Sequence, residues 1–409
     1  MKKNFLWNII GAGANAFVSL ILIIIVTRIN GLNDAGVFSY CFATACVLYC
    51  IGVYAGRVFQ VTDRNTKITD YDFIHNRIIT CIFMLIISIT FAFLNPTHTM
   101  YKAIILIILC LYKDVEAFSE VLYGIVQKAD NLYEVGISMT IKAAISTLVF
   151  LVIDILTNNL MLSCFAMVLI NLIVIFIYDQ KNVKKLEIIK NKFSNESNKI
   201  ILKTGFYTFI LTFLSIYVIN ISRYTINNVL TDDLQTIFGI IIMPATFMGL
   251  LGQFIIQPFL TKIKGLLIQD NNKEIKKLLF KLIISVFIIS IIILLVAYCL
   301  AIPVLNFVYG INLADYKIDL MIILFGAVFY CLNVIFSAVL VAMRKTLSQV
   351  VVYTGVSILG TIISYPLINS LSIKGASITY FICMSLIAVI FALLIIYNLK
   401  KSPKKERTI

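Results

Sequence analysis

Charge is scarce in this chain. Only 13% of its 409 residues are Asp, Glu, Lys or Arg, about half the share of a soluble domain. There are two histidines, one tryptophan and six prolines. His75 and His98 fall in different loops, so no histidine metal site follows from them. No two cysteines form a C-x-x-C pair. Cys41, Cys46, Cys50, Cys81, Cys110, Cys164, Cys299, Cys331 and Cys383 all sit in apolar segments and read as small hydrophobes. A G-x-x-x-x-G-K-[ST] phosphate loop is absent, which excludes ATP hydrolysis by that device. Long polar loops are absent too, which leaves no room for a globular catalytic domain.

Hydrocarbon is abundant. The chain is 61% hydrophobic with a mean hydropathy of +0.99. Several apolar stretches approach the ~20 residues that cross a bilayer as a helix. They are continuous and do not alternate, which argues for helices over a transmembrane barrel. The first begins close to Met1, shows no small-residue cleavage site, and reads as a retained helix.

Twelve helices are expected, near 6–29, 35–56, 78–95, 101–124, 136–156, 159–178, 204–229, 235–257, 279–301, 318–343, 348–369 and 376–398. The basic residues support that count. Alternate segments, starting with the N-terminus, hold 27 of the 34 Lys and Arg. The opposite loops hold only Arg28, Lys102, Lys317 and Lys374. Cationic loops stay in the cytoplasm, so both termini are expected there. The net charge of +14 then reflects topology and anionic-lipid contact, with no nucleic-acid partner. A basic stretch, 179–203, separates a first six-helix half (1–178) from a second (204–399), and 400–409 form a basic tail.

The helix near 101–124 breaks the apolar pattern. Lys113, Asp114, Glu116 and Glu120 arrive within eight residues of one another. At about 100° per residue, Lys113, Glu116, Glu120 and Gln127 share one face. Asp114 lies off that stripe. Leu111, Val115, Phe118, Leu122 and Ile125 oppose it, so one charged and one lipid face are expected. Other polar positions include Asn8, Gly11, Asn15 and Ser19 in the first helix and Lys142 in the first third of the fifth. The seventh has a Ser/Thr stripe ending at Ser222 and Arg223. The eighth has Gln253 and Gln257. The tenth has Gly326, Tyr330, Asn333 and Ser337, with Arg344 at its inner end.

Asn, Ser and Thr inside such helices commonly serve as interhelical hydrogen bonds. Charges there more often line or pair around a water-filled path. Lys113 with Glu116 also fits a local ion pair one turn apart. Lys and Arg suit an anion, and the Arg fork suits a phosphate. Tyr and Asn suit sugar hydroxyls. A carboxylate near a Lys can carry a coupling proton.

Several segments resemble a known family. WNIIG (Trp7 to Gly11) followed by TRINGLNDAGVFS (Thr27 to Ser39) is similar to the first hairpin of polysaccharide flippases. These belong to the multidrug/oligosaccharidyl-lipid/polysaccharide exporter superfamily. GVYAGRVFQVTD (Gly52 to Asp63), YDFIHNRIIT (Tyr71 to Thr80) and SEVLYGIVQK (Ser119 to Lys128) resemble its Gram-positive-type polysaccharide biosynthesis branch. NISRYTIN (Asn220 to Asn227), Ile237-Phe238-Gly239 and Gln257-Pro258 fit the same branch.

The resemblance implies an all-α membrane fold of two six-helix lobes around a central cavity, like the multidrug (MATE) exporters. It implies a bacterial plasma-membrane flippase moving a polyprenyl-pyrophosphate-linked oligosaccharide outward, for capsule, O-antigen or lipopolysaccharide. Polysaccharide polymerase and chain-length machinery are its implied partners. By charge and depth, Arg57, Arg77, Lys113, Lys142, Arg223 and Arg344 are candidate contacts for the cargo. Asn15, Tyr330, Asn333 and Gln257 join them. Asp114, Glu116 and Glu120 are candidate coupling or charge partners. No metal or organic cofactor is implied, and the coupling ion, H+ or Na+, stays open.

Two competing readings fit less well. A membrane polysaccharide polymerase usually presents a large outer loop with Arg and His, which is missing. Asp70-Tyr71-Asp72 has the D-x-D spacing of a sugar-nucleotide site, yet no globular domain surrounds it. Cation-coupled multidrug exporters often carry an acid in the first helix, where this chain has Asn, Gly and Ser. The sequence therefore points to a transporter and away from an enzyme.

Overall fold

The structure is a computed structural model that describes residues 2–54, 56–62, 68–186, 188 and 193–401. Arg64, Lys67, Lys190, Lys192 and the basic tail from 402 lie outside those residues. Among the described residues there is no strand. The first part runs α1 (Lys2–Ile29), α2 (Leu32–Val53), α3 (Gly56–Thr62), α4 (Asp70–Leu94), α5 (Met100–Lys128) and α6 (Leu132–Thr157). Then α7 (Leu160–Val174) passes through a π turn (Ile175–Asp179) into α8 (Gln180–Lys184). The long α9 (Asn195–Val229) leads to α10 (Asp232–Ile241), α11 (Met243–Ile256), α12 (Leu260–Ile268) and α13 (Asn272–Tyr309). The last three helices are α14 (Lys317–Ala342), α15 (Thr346–Leu371) and α16 (Ile373–Lys401).

Eleven of the described helical segments are long and apolar enough to cross a membrane. The charged α5 is not among them, although its 29 residues give it the length. It completes the expected twelve. Its surroundings explain how it carries charge. Leu122 and Ile125 are buried, in a core with Phe73, Val135, Ile175 and Val183. Leu111, Val115 and Phe118 are half-buried, and no residue from 101 to 127 is exposed. Val115 and Phe118 pack against the same core, so protein covers much of the face expected to meet lipid.

The chain divides into two compact units. Met1–Ile216 with Thr231–Thr236 forms the first, and Tyr217–Leu230 with Ile237–Ile409 the second. In the first unit α1 and α6 approach through glycine. A Cβ on Gly136 would lie 2.1 Å from the Trp7 carbonyl oxygen, and one on Gly11 would lie 2.5 Å from that of Gly136. Small residues let helix backbones meet in this way inside membranes. Gly136→Ala is expected to force the pair apart and cost about 1–3 kcal/mol. The lowered midpoint of thermal unfolding in detergent would show it. Gly13→Ala on the same α1, where a Cβ meets nothing within 4 Å, should leave that midpoint unchanged or raised.

Two local features position the site. The helix expected over 35–56 stops at Val53. Tyr54 adopts φ 47° and Gly56 φ 76°, so the chain turns and restarts as α3. Positive φ is rare for an aromatic residue. Tyr54 is held there by its hydroxyl, which donates to the Leu202 carbonyl at 2.8 Å, and by stacking on Phe209. The second feature is a capping box. Asp72 accepts from the Thr69 backbone N–H at 2.9 Å, while Thr69 Oγ1 accepts from Asp72 N–H at 3.3 Å. This starts α4 at Asp70, ahead of the expected 78, and places Arg77 inside a helix. It also accounts for Asp70-Tyr71-Asp72: Asp72 caps α4, and Asp70 pairs with Lys128 at 2.7 Å.

Candidate functional site

The charged stripe of α5 faces α1, α2 and α3. Lys113 Nζ lies 2.7 Å from Glu116 Oε2. The other Glu116 oxygen accepts from Asn15 Nδ2 of α1 at 3.1 Å. The Lys113 ammonium also sits 5.0 Å from the Phe42 ring, 5.6 Å from Tyr49 and 5.4 Å from Tyr112, a cation–π setting. Phe42 and Tyr49 project from one face of α2, and sequence reasoning missed both. Their spacing of seven residues was the available signal. One turn further, Glu120 Oε2 lies 3.5 Å from Arg57 Nε of α3. Gln60 of α3 donates to the Val121 carbonyl at 3.1 Å and lies directly over Gly124. Lys113, Glu116, Arg57 and Glu120 stay partly exposed, between 12% and 22% by side chain.

Lys142 of α6 is spent on protein. Its ammonium donates to Ser119 Oγ at 2.6 Å, Tyr123 Oη at 3.2 Å and Asp179 Oδ2 at 2.5 Å. Asp179, the last residue of the π turn, also accepts from Ser138 Oγ. Tyr123 Oη lies 2.9 Å from Ser138 Oγ. Since Ser138 donates to Asp179, the Tyr123 hydroxyl donates to Ser138. Three donors and acceptors thereby close around one buried ion pair. π turns inside helices often mark functional positions, and sequence periodicity gave no sign of this one.

Arg77 and Asp114 form a second polar group, off the stripe. Arg77 is 6% exposed. Its Nη1 donates to the Gly52 carbonyl at 2.6 Å, and Thr80 Oγ1 donates to the same oxygen at 2.7 Å. Arg77 Nε has no partner, and neither does Asp114 Oδ1. The two are within Coulombic range but form no ion pair, and Glu120 lies within range of Arg77 as well. Gly52 is packed closely beside this pair: a Cβ there would press on Met84 at 2.8 Å and on Ala117 at 3.1 Å, with Asp114 Oδ1 at 3.6 Å. Arg57 likewise keeps Nη1 without a partner.

So Asn15, Arg57, Arg77, Lys113, Asp114, Glu116, Glu120 and Lys142 gather within the first unit. Four cations stand against four carboxylates once Asp179 is included. Of the second-unit candidates, Tyr330 and Asn333 lie one turn apart on α14. Asn333 is buried and donates to the Met384 carbonyl at 3.0 Å, an interhelical bond. Tyr330 lies against Gly249, where a Cβ would come within 2.3 Å of its ring. Arg223 donates to Asn220 Oδ1 at 3.4 Å. Gln257 and Arg344 are both exposed, at helix ends. Of the seventh-helix stripe, Thr204 and Thr212 bond back to their own helix, and Ser222 donates to the Ala376 carbonyl.

Comparison with known proteins fits this architecture. No family model matches the chain. It is 24% identical over 383 residues to the capsular polysaccharide biosynthesis protein CapF of Staphylococcus aureus, covering 93% of this chain and 95% of that one. The structure is similar to the eukaryotic MATE transporter AtDTX14, with a TM-score of 0.66 and 13% identity over 98% of this chain and 96% of the other. It is also similar to the inward-facing form of a multidrug resistance MATE transporter of the MOP superfamily. There the TM-score is 0.64 and identity 14%, over 96% and 98% of the two chains. The chain therefore has the all-α fold of the MATE transporters. The resemblance read from its sequence, to polysaccharide transporters of that superfamily, agrees with both comparisons.

Proposed function

We propose that this protein flips a polyprenyl-pyrophosphate-linked oligosaccharide from the cytoplasmic to the outer leaflet of a bacterial plasma membrane, by alternating access. Both termini are cytoplasmic in this reading. The cargo serves a capsule-type surface polymer and passes on to polymerase and chain-length machinery. One observation carries the reading. Arg57 and Arg77 each keep a buried N–H donor with no partner; Arg57 pairs with Glu120, and Arg77 lies within Coulombic range of the same carboxylate. Buried donors are nearly always filled, and an unfilled guanidinium asks for an oxyanion. Lys113 adds a further cation for the anionic head group, and Phe42, Tyr49, Tyr112 and Asn15 around it offer the neighbouring surface for a sugar. The similarity to a capsular polysaccharide protein supports the same cargo class.

Cells lacking the protein are expected to accumulate lipid-linked oligosaccharide on the cytoplasmic leaflet. Wild type should relieve that accumulation, and Arg57→Ala, expressed to the same level, should not. A null strain with no accumulation but new sensitivity to cationic dyes would replace this reading with a drug exporter.

A further inference from the structure

The charges of the first-unit cluster balance when every group is ionised: Arg57, Arg77, Lys113 and Lys142 against Asp114, Glu116, Glu120 and Asp179. A neutral cluster has no surplus to offer an anion. Three of the four carboxylates are held by a cation at hydrogen-bond or ion-pair distance: Glu116 by Lys113, Glu120 by Arg57 and Asp179 by Lys142. Asp114 is the exception. Its Oδ1 is buried without a partner, and the cation within range, Arg77, spends its Nη1 on the Gly52 carbonyl.

We propose that Asp114 is the proton-linked residue of this transporter, taking up a proton when Arg77 turns from it to an anionic head group. This rests on the anionic cargo proposed above. Asp114 is half-buried, with one carboxylate oxygen buried and unpartnered, and such a group is held in its ionised form chiefly by a cation nearby. Arg77 lies within Coulombic range of two carboxylates, Asp114 off the stripe and Glu120 on it. A pyrophosphate filling Arg77 Nε and Arg57 Nη1 draws the guanidinium charge to itself. Asp114 is then left without its cation. An O–H bond forms at its carboxylate, the group goes from −1 to neutral, and the cluster gains the positive charge that the anion requires. The proton comes from water.

Few other groups face Asp114. From its own helix come Cys110 and the adjacent Lys113, which is held by Glu116. From α4 come Arg77 and Cys81, whose thiol donates to the Asp114 backbone carbonyl and lies beside its carboxyl group. From α2 comes the carbonyl-bearing Gly52, with Tyr49 facing Arg77. Among the described residues, no second carboxylate competes for the same proton on this side of the helix.

The test is the pH dependence of inorganic pyrophosphate binding to the purified full-length protein in lipid nanodiscs. Wild type and Asp114→Asn are compared, so that the ligand's own titration cancels. In wild type the affinity should fall by up to about tenfold per pH unit more steeply than in Asp114→Asn. Glu120→Gln should keep the wild-type slope. Proton uptake per bound pyrophosphate, followed in weak buffer, should be greater for wild type than for Asp114→Asn. Asp114→Glu should restore both signals, which guards against a merely misfolded Asn variant. Equal slopes and equal uptake in wild type and Asp114→Asn would overturn the inference and leave the anion site standing. A slope lost in Glu120→Gln but kept in Asp114→Asn would also overturn it. No pyrophosphate binding by wild type at any pH would instead bring down the proposed head-group site and this inference with it.

Discussion

Asp179→Ala is expected to cost about 3–5 kcal/mol of stability, the usual penalty for stripping one partner from a buried ion pair. The pair is deep, with Asp179 4% exposed and Lys142 8%. Without Asp179, the Lys142 ammonium keeps only Ser119 and Tyr123, two neutral oxygens. Ser138 loses its acceptor as well. A loss of this size shifts unfolding well below that of wild type in detergent. The double variant Lys142→Met with Asp179→Leu should recover most of it, because apolar side chains of similar volume replace buried pairs at little cost. About 1 kcal/mol should stay missing, since Tyr123 and Ser138 are left with only each other. Transport separates anchoring from cargo contact. All three ammonium donors of Lys142 are filled by protein, so the stable double variant is expected to transport. A double variant that folds at wild-type stability yet carries no cargo would show that Lys142 touches the substrate.

The helix count and the α5 stripe were legible because both rest on periodicity. Apolar runs of the right length mark the spans, and the turns of α5 put Lys113, Glu116 and Glu120 on one face. What periodicity could not tell is which apolar face meets lipid and which meets protein, since hydrocarbon tails and Leu side chains are equally apolar. Hence Leu122 and Ile125, read as lipid-facing, lie in a core. The placement of Arg57 and Arg77 was illegible for another reason. Both fall in a basic stretch that reads as a cytoplasmic loop. The elbow at Tyr54 and the Thr69–Asp72 box put Arg57 at the start of α3 and Arg77 two turns into α4. The Gly52 carbonyl that holds Arg77 carries no sequence signal at all. In the second half, Tyr330 and Asn333 read as cargo contacts because they share a polar stripe and suit sugar hydroxyls. The structure gives Asn333 an interhelical bond and Tyr330 a glycine contact, which are packing uses of the same residue types.

The other large effect concerns Lys113. Lys113→Met should reduce cargo transport about a hundredfold, the scale of losing one charge contact worth roughly 2–3 kcal/mol. Part of the change is structural, because Glu116 is left with Asn15 alone. That part is smaller than for Asp179. Lys113 and Glu116 keep 12% and 21% side-chain exposure, so water screens the orphaned carboxylate, and about 1–2 kcal/mol of stability is at stake. Adding Glu116→Gln removes the orphaned charge. The amide introduced there can still accept from Asn15, so the unfolding midpoint of the double variant should return close to wild type. Its transport should not return. The cation is what an anionic cargo recognises, and the ring of Phe42, Tyr49 and Tyr112 then encloses a neutral thioether. The measurement is lipid-linked oligosaccharide carried per cell by each variant at matched expression, set beside its unfolding midpoint. Transport regained along with stability in the double variant would reduce Lys113 and Glu116 to an ion pair serving only each other. Stability regained while transport stays lost would place the Lys113 ammonium in the path of the cargo.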